Sequence, residues 1–336
     1  MSGVRIPPGA PINKGFSESG ALGKTGEERQ EAKYLFGISN MKKMGNKRQV
    51  KILWGIFVFT VIIVIIDIIG EFLGLSLTKN RTIDFLKISL PVILVILHAG
   101  YTLTYFRGFV FILLASLIGL IFEIVGVKYG ILFGGHYVYQ VSNKLMFLSA
   151  PLFSNKLMIS NIPLLVPLYW AVFIYVSYSI VSSFLFWINK GKPNRLKGGA
   201  VWLPLLVFLD GLIVVSIDLF MEPLQVKAGN WFWLEGGPYY NIPIGNFVGW
   251  FIVATISTGM FRVFEYFSPK EHSKTDKSVF VLPNMGYGML CIVLFSTALK
   301  AQLSKLALIG FFAMFPIIII NLIVFINGQK ILGENN

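Results

Sequence analysis

The stretch DGLIVVSIDLFMEPLQVKAGNWFWLEGGPYYNIPIGNFVGW, residues 210–250, decides the fold of this chain. It begins as an apolar segment that carries Asp210, Asp218 and Glu222 at positions i, i+8 and i+12, which share one face of a helix. A loop rich in Gly, Trp and Tyr follows, and a second apolar segment begins near Pro243. Acidic side chains inside a segment of membrane length are costly and usually functional. The pattern therefore predicts two membrane helices and a functional site beside the loop that joins them.

The composition of the whole chain is that of a membrane protein. Hydrophobic residues make up 55% of the 336 residues and charged residues only 13%, whereas about a quarter of the residues in a soluble domain are charged. Runs of about 20 apolar residues span a bilayer, where helices satisfy their own backbone. Eight such runs occur, at 52–74, 85–105, 108–128, 162–188, 200–222, 243–266, 279–299 and 306–326. We therefore predict an all-α, polytopic bundle of about eight transmembrane helices.

The net charge of +13 is explained by topology rather than by nucleic-acid binding. If the N-terminus is inside, fifteen Lys and Arg residues from Met41 onward fall in inner segments and eight in outer loops. The positive-inside rule then predicts a multi-pass protein of the cell membrane with both termini in the cytoplasm. The single cysteine, Cys291, cannot form a disulfide framework or a zinc site. The sequence leaves the oligomeric state open.

The N-terminal segment, residues 1–40, differs from the rest of the chain. It is polar, rich in Gly and Pro, and without an apolar period, which is typical of disorder. Its start, SGVRIPPGAP, can also be encoded by the 3′ end of a tRNA gene, and translation then begins at Met41 or Met44. We predict a disordered or misassigned extension over residues 1–40 and a single integral membrane domain over residues 41–336.

The chain contains an internal repeat. Asn-Ile-Pro at 161–163, followed by Trp170, recurs at 241–243, followed by Trp250. An acidic residue and a Gly-rich aromatic loop precede both copies. Helices 3–4 and 5–6 are therefore predicted to be a duplicated hairpin, and because both copies start on the same side of the membrane, the repeat is parallel. Helices 7 and 8 carry almost no polar residues and are predicted to be scaffold.

Polar side chains from several helices are expected to lie at one depth, near the outer face, with aromatic residues around them. The polar side chains of this predicted pocket are Asp67, Glu71, Glu123, Asp218, Glu222, Asn241 and Asn246. The aromatic residues around them are Tyr129, His136, Tyr137, Tyr139, Trp231, Trp233, Tyr239 and Tyr240. Asp210 lies deeper, near the middle of helix 5. Aromatic residues also belt membrane interfaces, so a purely structural role stays open for Trp231 and Trp233, as it does for Asp67 at a helix end.

Carboxyl groups in an apolar, aromatic pocket suit acid catalysis on an alkene. A protonated Asp or Glu can protonate the double bond. Aromatic faces and a neighbouring carboxylate can then stabilise the carbocation, and water can add from the interface. The sequence contains no redox-cofactor or metal motif. Two alternatives stay open: a transporter whose acids form a proton or cation path, and another carbocation reaction such as cyclisation.

The two loop regions resemble the membrane-bound carotenoid biosynthesis protein family, which includes carotenoid 1′,2′-hydratases and bisanhydrobacterioruberin hydratases. The matching residues are Glu123, Gly126, Phe133, Gly134, Tyr137 and Tyr139 in the first region, and Asp218, Glu222, Pro223, Trp231, Trp233, Pro243, Asn246, Gly249 and Trp250 in the second. Asn241 stands where Gly is common, and Gly135-His136 replaces the more usual Pro-Tyr. The resemblance implies a cofactor-independent hydro-lyase that hydrates the terminal C=C bond of an acyclic carotenoid end group.

Our own interpretation of the residues assigns the roles within this pocket. Asp218 is the first choice for the proton donor, with Glu123 and then Glu222 as the other catalytic residues. Asn246 is expected to fix a carboxyl group or the water. The residues expected to bind the carotenoid lipid substrate are Trp231, Trp233, Tyr137, Tyr139, Tyr239, Tyr240, Asp210 and Asp67.

A chain that begins at Met41 should accumulate in the membrane and keep full activity, because residues 1–40 offer no apolar segment to the bundle. The measurement is carotenoid analysis, by chromatography and mass, of a host that makes an acyclic carotenoid and carries either form of the gene. Loss of membrane accumulation or of activity on this truncation would contradict the prediction of a dispensable extension.

Overall fold

The computed structural model describes residues 26–74, 81–140, 158–189, 199–268 and 276–333. The chain divides into a first unit, residues 1–48, and a second unit, residues 49–336. In the first unit, residues 26–40 are helical where the composition indicated disorder. The cause is local, because residues 27–33 are Glu, Arg, Gln, Ala and Lys, which are all strong helix formers. Residues 1–25 of the predicted extension lie outside the described residues.

Eight helices in the described part of the chain are long and apolar enough to cross a membrane. Their bounds are α1 Gly26–Phe72, α2 Arg81–Leu103, α3 Tyr105–Tyr129, α4 Leu165–Ile188, α5 Leu203–Ala228, α6 Ile244–Phe267, α7 Leu282–Lys300 and α8 Ser304–Gly333. Short 3₁₀ turns, Gly199–Trp202 and Lys277–Val281, precede α5 and α7. The predicted all-α, polytopic membrane bundle is confirmed.

The helices of the bundle differ in how much of their surface is covered by other helices. The α4 span is 67% buried, whereas the spans of α1 and α8 are 22% and 17% buried. Helix α4 is therefore central, and it is packed against α3, α5 and α8. The apolar side chains that α1 and α8 leave uncovered are those that a bilayer would solvate.

Four short strands lie between the helices: β1 Tyr137–Tyr139, β2 Met158–Ile159, β3 Ile162–Pro163 and β4 Trp231–Trp233. Strand β1 pairs antiparallel with β4, so that Tyr137 lies opposite Trp233 and Tyr139 lies opposite Trp231. We call this end of the bundle the β end. Helices α3 and α5 run toward it and α4 and α6 run away from it, so both repeat units turn at the same end.

The two copies of the repeat end their first helix in the same way. The C-cap residue of α3 is Gly130, with φ 66°, and that of α5 is Gly229, with φ 72°. Each glycine lies seven residues after the acidic residue of its copy, Glu123 or Glu222. A left-handed C-cap favours glycine because a Cβ atom is strained there. The two acids therefore lie at equal depth, about 9 Å before their helix ends.

The Asn-Ile-Pro segments of the two copies also share one backbone conformation. Ser160 and Asn161 have φ values of 50° and 68°, and Tyr240 and Asn241 have 51° and 67°. Two consecutive left-handed residues characterise a type I′ turn, and asparagine is among the few residues that adopt this conformation readily. Asn241 can therefore replace the glycine that is common at this position without changing the turn.

The two repeat units meet at their tryptophans. The ring centroids of Trp170 and Trp250 are 4.0 Å apart, with an angle of 32° between the planes. Gly119 leaves the space for this contact, because a Cβ atom at that position would lie 2.6 Å from Trp170 Cγ. The small residue at position 119 thus permits close packing of α3 against an aromatic ring of α4.

Cysteines introduced at Val138 and Phe232, in a Cys291→Ser chain, should be joined by a short bis-maleimide, because the two residues are partners in the β1–β4 pair. Tyr105, at the opposite end of α3, gives the control: a Val138→Cys, Tyr105→Cys chain should not be joined. The measurement is a gel shift after cleavage of an engineered protease site between the two cysteines.

The same cysteines test the orientation in the membrane. The charge distribution predicts that the β end is extracytoplasmic, so an impermeant maleimide should label both positions in intact cells. Labelling of only one of the two loops would contradict a common end, and labelling of both only after cell lysis would reverse the orientation.

Candidate functional site

A cavity of about 100 Å³ lies at the β end of the bundle. Its polar wall consists of Glu123, Glu222, Gln225 and Asn246, together with the two tyrosines of β1. The remainder of the wall is apolar or aromatic: Phe133, Leu165, Val166, Tyr169, Trp170, Phe173, Met221, Trp231, Trp233, Trp250, Leu290 and Leu294. The cavity therefore combines two acidic side chains with a predominantly hydrophobic surface, which is typical of a small-molecule site.

Glu123 is the most completely hydrogen-bonded side chain of the cavity. Its Oε2 atom accepts from the hydroxyls of Tyr137, at 2.6 Å, and Tyr139, at 2.8 Å. Its Oε1 atom accepts from Trp170 Nε1 at 2.9 Å. Burial, together with the charge of Glu123, raises the pKa of both tyrosines well above the usual value, so that the phenols keep their protons. Three neutral donors thus point at one buried carboxyl group.

Gly126 allows this arrangement. It lies nearly one turn after Glu123 in α3, and a Cβ atom there would lie 2.8 Å from the Tyr137 hydroxyl oxygen and 2.5 Å from Phe133 Cδ2. Strand β1 can therefore approach α3 closely enough for Tyr137 to reach Glu123 only because position 126 has no side chain. Glu123, Gly126 and Tyr137 all belong to the sequence pattern of the first loop region, and the contact between Glu123 and Tyr137 depends on the glycine.

The second carboxyl group of the wall, Glu222, belongs to a pair. Asp218, one turn earlier in α5, is fully buried and lies close enough to hydrogen-bond with Glu222. Asn246 Nδ2 donates to Asp218 Oδ2 at 2.8 Å, and Trp231 Nε1 donates to Glu222 Oε1. Asp218 lies behind Glu222 and does not line the cavity. Asp218, the predicted first choice for the proton donor, therefore contacts Glu222 and not the cavity itself.

The α5 segment that carries this pair is supported by Tyr239. Pro223 has no backbone N–H, so the carbonyl oxygen of Leu219, four residues earlier, lacks its helical donor. The Tyr239 hydroxyl donates to that oxygen at 2.9 Å. Burial is the main cause that raises the pKa of Tyr239 to about 12. Tyr239 packs against Tyr240, with ring centroids 5.0 Å apart. Neither tyrosine lines the cavity, although both were predicted to bind substrate.

The remaining residues with a predicted substrate-binding role fall into two groups. Trp231 and Trp233 line the cavity. The indole N–H of Trp231 donates to Glu222, and that of Trp233 donates to the carbonyl oxygen of Phe133 at 3.0 Å. Asp67 lies apart from the cavity wall and bonds Lys87 Nζ at 2.7 Å. The structure therefore brings Trp231 and Trp233 to the site and leaves Asp67 in an ion pair between α1 and α2.

Asp210 is also separate from the cavity. It lies eight residues before Asp218 in α5, which corresponds to about 12 Å along the helix. Its two carboxylate oxygens accept from Arg262 Nε at 2.6 Å and from Nη2 at 2.8 Å. The guanidinium group also lies over the ring of Tyr178, 4.5 Å from its centroid. Both partners are buried, so the charge of Asp210 is compensated within the protein.

Several residues of the cavity wall were not among the predicted site residues. Trp170 and Trp250 had a signal in the sequence, since both belong to the internal repeat. Gln225 also had one, because it is an amide one turn after Glu222 in an apolar helix. Leu290 and Leu294 had none, since a leucine that lines a cavity has the same sequence signature as one that faces lipid. Helix α7 is therefore a wall of the site, not only scaffold.

Among the residues that the structure describes, no group of three or more His, Cys, Asp or Glu side chains could hold a metal ion. The chemistry available at the cavity wall itself is acid–base chemistry and stabilisation of positive charge. The acids can donate and accept protons, and the acids together with the aromatic faces can stabilise a positive charge.

Comparison with known proteins identifies the family. A sequence profile described as carotenoid biosynthesis protein matches residues 84–318, and this range includes every residue of the cavity wall and both copies of the repeat. The chain belongs to this family and is a protein of carotenoid biosynthesis. No curated protein and no solved structure matches it.

Gly126→Ala should destabilise the protein, because the new methyl group overlaps Tyr137 and Phe133. Overpacking of this kind typically costs about 1–3 kcal/mol. The control is Gly286→Ala in α7, where nothing lies within 4 Å of the added Cβ atom and the gain in helix propensity is about 0.5–1 kcal/mol. The measurement is the apparent Tm of the purified proteins in detergent. A Gly126→Ala protein that unfolds at or above the wild-type temperature would contradict this packing argument.

Proposed function

We propose that this member of the carotenoid biosynthesis family hydrates the terminal C=C bond of an acyclic carotenoid end group by acid catalysis, without a cofactor. The observation that carries this proposal is the buried Asp218–Glu222 pair at the edge of a largely apolar, aromatic cavity. A cavity of about 100 Å³ suits one end of a long molecule. A polyene chain is comparable in length with the hydrocarbon core of a bilayer, roughly 30 Å, so the rest of the substrate can extend along the helices into lipid.

The proton for the alkene is held by the Asp218–Glu222 pair. A hydrogen bond between two carboxyl groups needs one proton, and two carboxylates in contact in a buried site repel each other strongly. Because Glu222 lines the cavity and Asp218 does not, Glu222 is the group that delivers the proton. Asp218, held by Asn246, accepts the shared hydrogen bond and so fixes the position of the protonated Glu222 carboxyl group.

Protonation of the less substituted alkene carbon leaves a tertiary carbocation at the other carbon. Glu123 faces the same cavity as Glu222 and accepts hydrogen bonds on both of its oxygens, which is the pattern of a carboxylate. Its negative charge and the faces of Trp170 and Trp250 stabilise the cation. Glu123 therefore acts on the charge of the intermediate, and the proton comes from the α5 pair.

Water completes the reaction. Its oxygen forms the new C–O bond with the cationic carbon, and its extra proton returns to the Glu222 carboxylate. One water is consumed, the product is a tertiary alcohol, and the pair regains the proton with which it started. No oxidant, reductant or leaving group takes part.

Hydration is favoured over the two alternatives by the distribution of polar groups. Cyclisation shares the carbocation but requires that water be kept away from it, whereas Gln225 and Asn246 make part of this cavity wall polar. A proton or cation path requires acids at successive depths. Here Glu123, Asp218 and Glu222 lie together near the β end, and the deeper Asp210 is neutralised by Arg262.

Glu222→Gln and Asp218→Asn should each lower hydration by about 10²–10⁴-fold, the usual loss on removal of a general acid. Glutamine at 222 has no acidic proton. Asparagine at 218 donates a hydrogen bond to Glu222 and so holds it as an acceptor, which leaves no shared proton. The assay is a host that makes an acyclic carotenoid, with products resolved by chromatography and mass. In oxygen-18 water, the wild-type product should gain the mass of labelled water.

Glu235→Gln and Asp84→Asn are the matched controls, since both make the same chemical change outside the cavity wall. Both should hydrate at the wild-type level, and all four variants should be compared at equal membrane abundance. Near-normal hydration by Glu222→Gln would remove the proposed proton donor. The same result for Asp218→Asn as well would remove the shared-proton mechanism.

A further inference from the structure

Gln225 is a buried polar side chain of the cavity wall to which the acid–base steps assign no role. It lies in α5, three residues after Glu222, so the two side chains are neighbours on one helix face. The residue is only 3% exposed. Its Oε1 atom accepts a hydrogen bond from Asn230 Nδ2.

Asn230 holds this amide in a fixed orientation. Its backbone N–H donates to the carbonyl oxygen of Gln225 at 3.0 Å, and its own carbonyl oxygen accepts from the backbone N–H of Gln140 at 2.8 Å. Asn230 is therefore tied both to the end of α5 and to the residue that follows β1. Because Oε1 of Gln225 is engaged with Asn230, the Nε2 amide group is directed away from it.

The Nε2 group of Gln225 donates no hydrogen bond to any residue that the structure describes. An amide N–H group that is open to a largely apolar cavity is unfavourable without an acceptor, and native proteins rarely leave one unmatched. The side chain lines the cavity. The missing acceptor is therefore expected to be an oxygen atom of a molecule inside the cavity.

We propose that Gln225 is a positioning residue that holds the attacking water beside Glu222 and afterwards binds the tertiary hydroxyl group of the product. The inference rests on the proposed hydration. An amide N–H that occupies one lone pair of the water leaves the other lone pair free to form the C–O bond. The same donor fits the alcohol oxygen, so the cavity contains a subsite for a hydroxyl group among apolar walls.

This role decides the fate of the carbocation. When water is held in place, its oxygen adds to the cation and the alcohol forms. When water is not held, the cation loses a proton from an adjacent carbon to the Glu222 carboxylate, and an alkene forms again. Both routes return the proton to the pair, so loss of Gln225 should change the product and not the protonation step.

Gln225→Met tests the inference, because methionine has a similar length and flexibility but no amide. Membranes that contain the protein are incubated with an acyclic carotenoid in D2O, and the hydrated and unhydrated carotenoids are analysed by mass. Protonation from the exchanged pair leaves deuterium in every alkene that passes through the cation and then loses a hydrogen other than the added one. We expect the ratio of hydrated product to deuterated alkene to fall about tenfold, the size of effect typical for loss of one hydrogen bond.

The product ratio does not depend on how much protein folds, so it can be read from whatever fraction accumulates. Asn230→Ala, which releases the amide from its anchor, is the second variant and should shift the ratio in the same direction. Gln49→Met is the matched control: it removes a glutamine amide that bonds Tyr105, distant from the cavity, and should leave the ratio unchanged.

Two results would overturn the positioning role: an unchanged ratio in Gln225→Met, or a parallel loss of hydrated product and deuterium incorporation, which would place Gln225 in the protonation step or in the fold. Failure of the hydration itself has a different signature, since the wild-type protein would then give neither the alcohol nor deuterated alkene.

Discussion

Buried carboxyl groups need hydrogen-bond donors, and the site end of this bundle is arranged around that need. Glu123 accepts from Tyr137, Tyr139 and Trp170, which come from strand β1 and helix α4. These contacts join three elements at one carboxyl group. The close approach that they require depends on positions without side chains, so that Gly119 accommodates Trp170 and Gly126 accommodates Tyr137.

The duplicated hairpin supplies two acids at equal depth, and their surroundings make them chemically different. Glu123 is surrounded by neutral donors, whereas Glu222 is next to a second acid, Asp218, which is held by Asn246. One copy is therefore suited to stabilise positive charge and the other to hold a proton. The tryptophans of the two copies, Trp170 and Trp250, contact each other and form an aromatic wall of the same cavity. The two copies therefore have similar backbones, but the hydrogen-bond partners of their acids, Glu123 and Glu222, differ.

Two further acids in the membrane-spanning part are compensated by direct pairing. Asp210 makes two hydrogen bonds with Arg262, and Asp67 pairs with Lys87. The sequence predicts a site role for both acids because an acid in an apolar segment is conspicuous in any sequence. Their partners are 52 and 20 residues away along the chain, so the pairing depends on which helices pack together, and the local pattern does not contain that information.

The sequence by itself determined the eight helices, the parallel repeat and the loops that meet at the β end, because these follow from apolar length, turn residues and direct repetition. It also placed Glu123, Glu222, Tyr137, Tyr139, Trp231 and Trp233 in one region, since each lies at a helix end or in an aromatic loop. Only the tertiary structure decided that Asp218 lies behind Glu222, that Tyr239 replaces the donor lost at Pro223, and that Leu290 and Leu294 complete the wall. The physical reason is that burial and hydrogen-bond partners arise from the packing of distant helices, whereas a leucine, a tyrosine or an aspartate has the same local signature whether it faces lipid, a neighbour or a cavity.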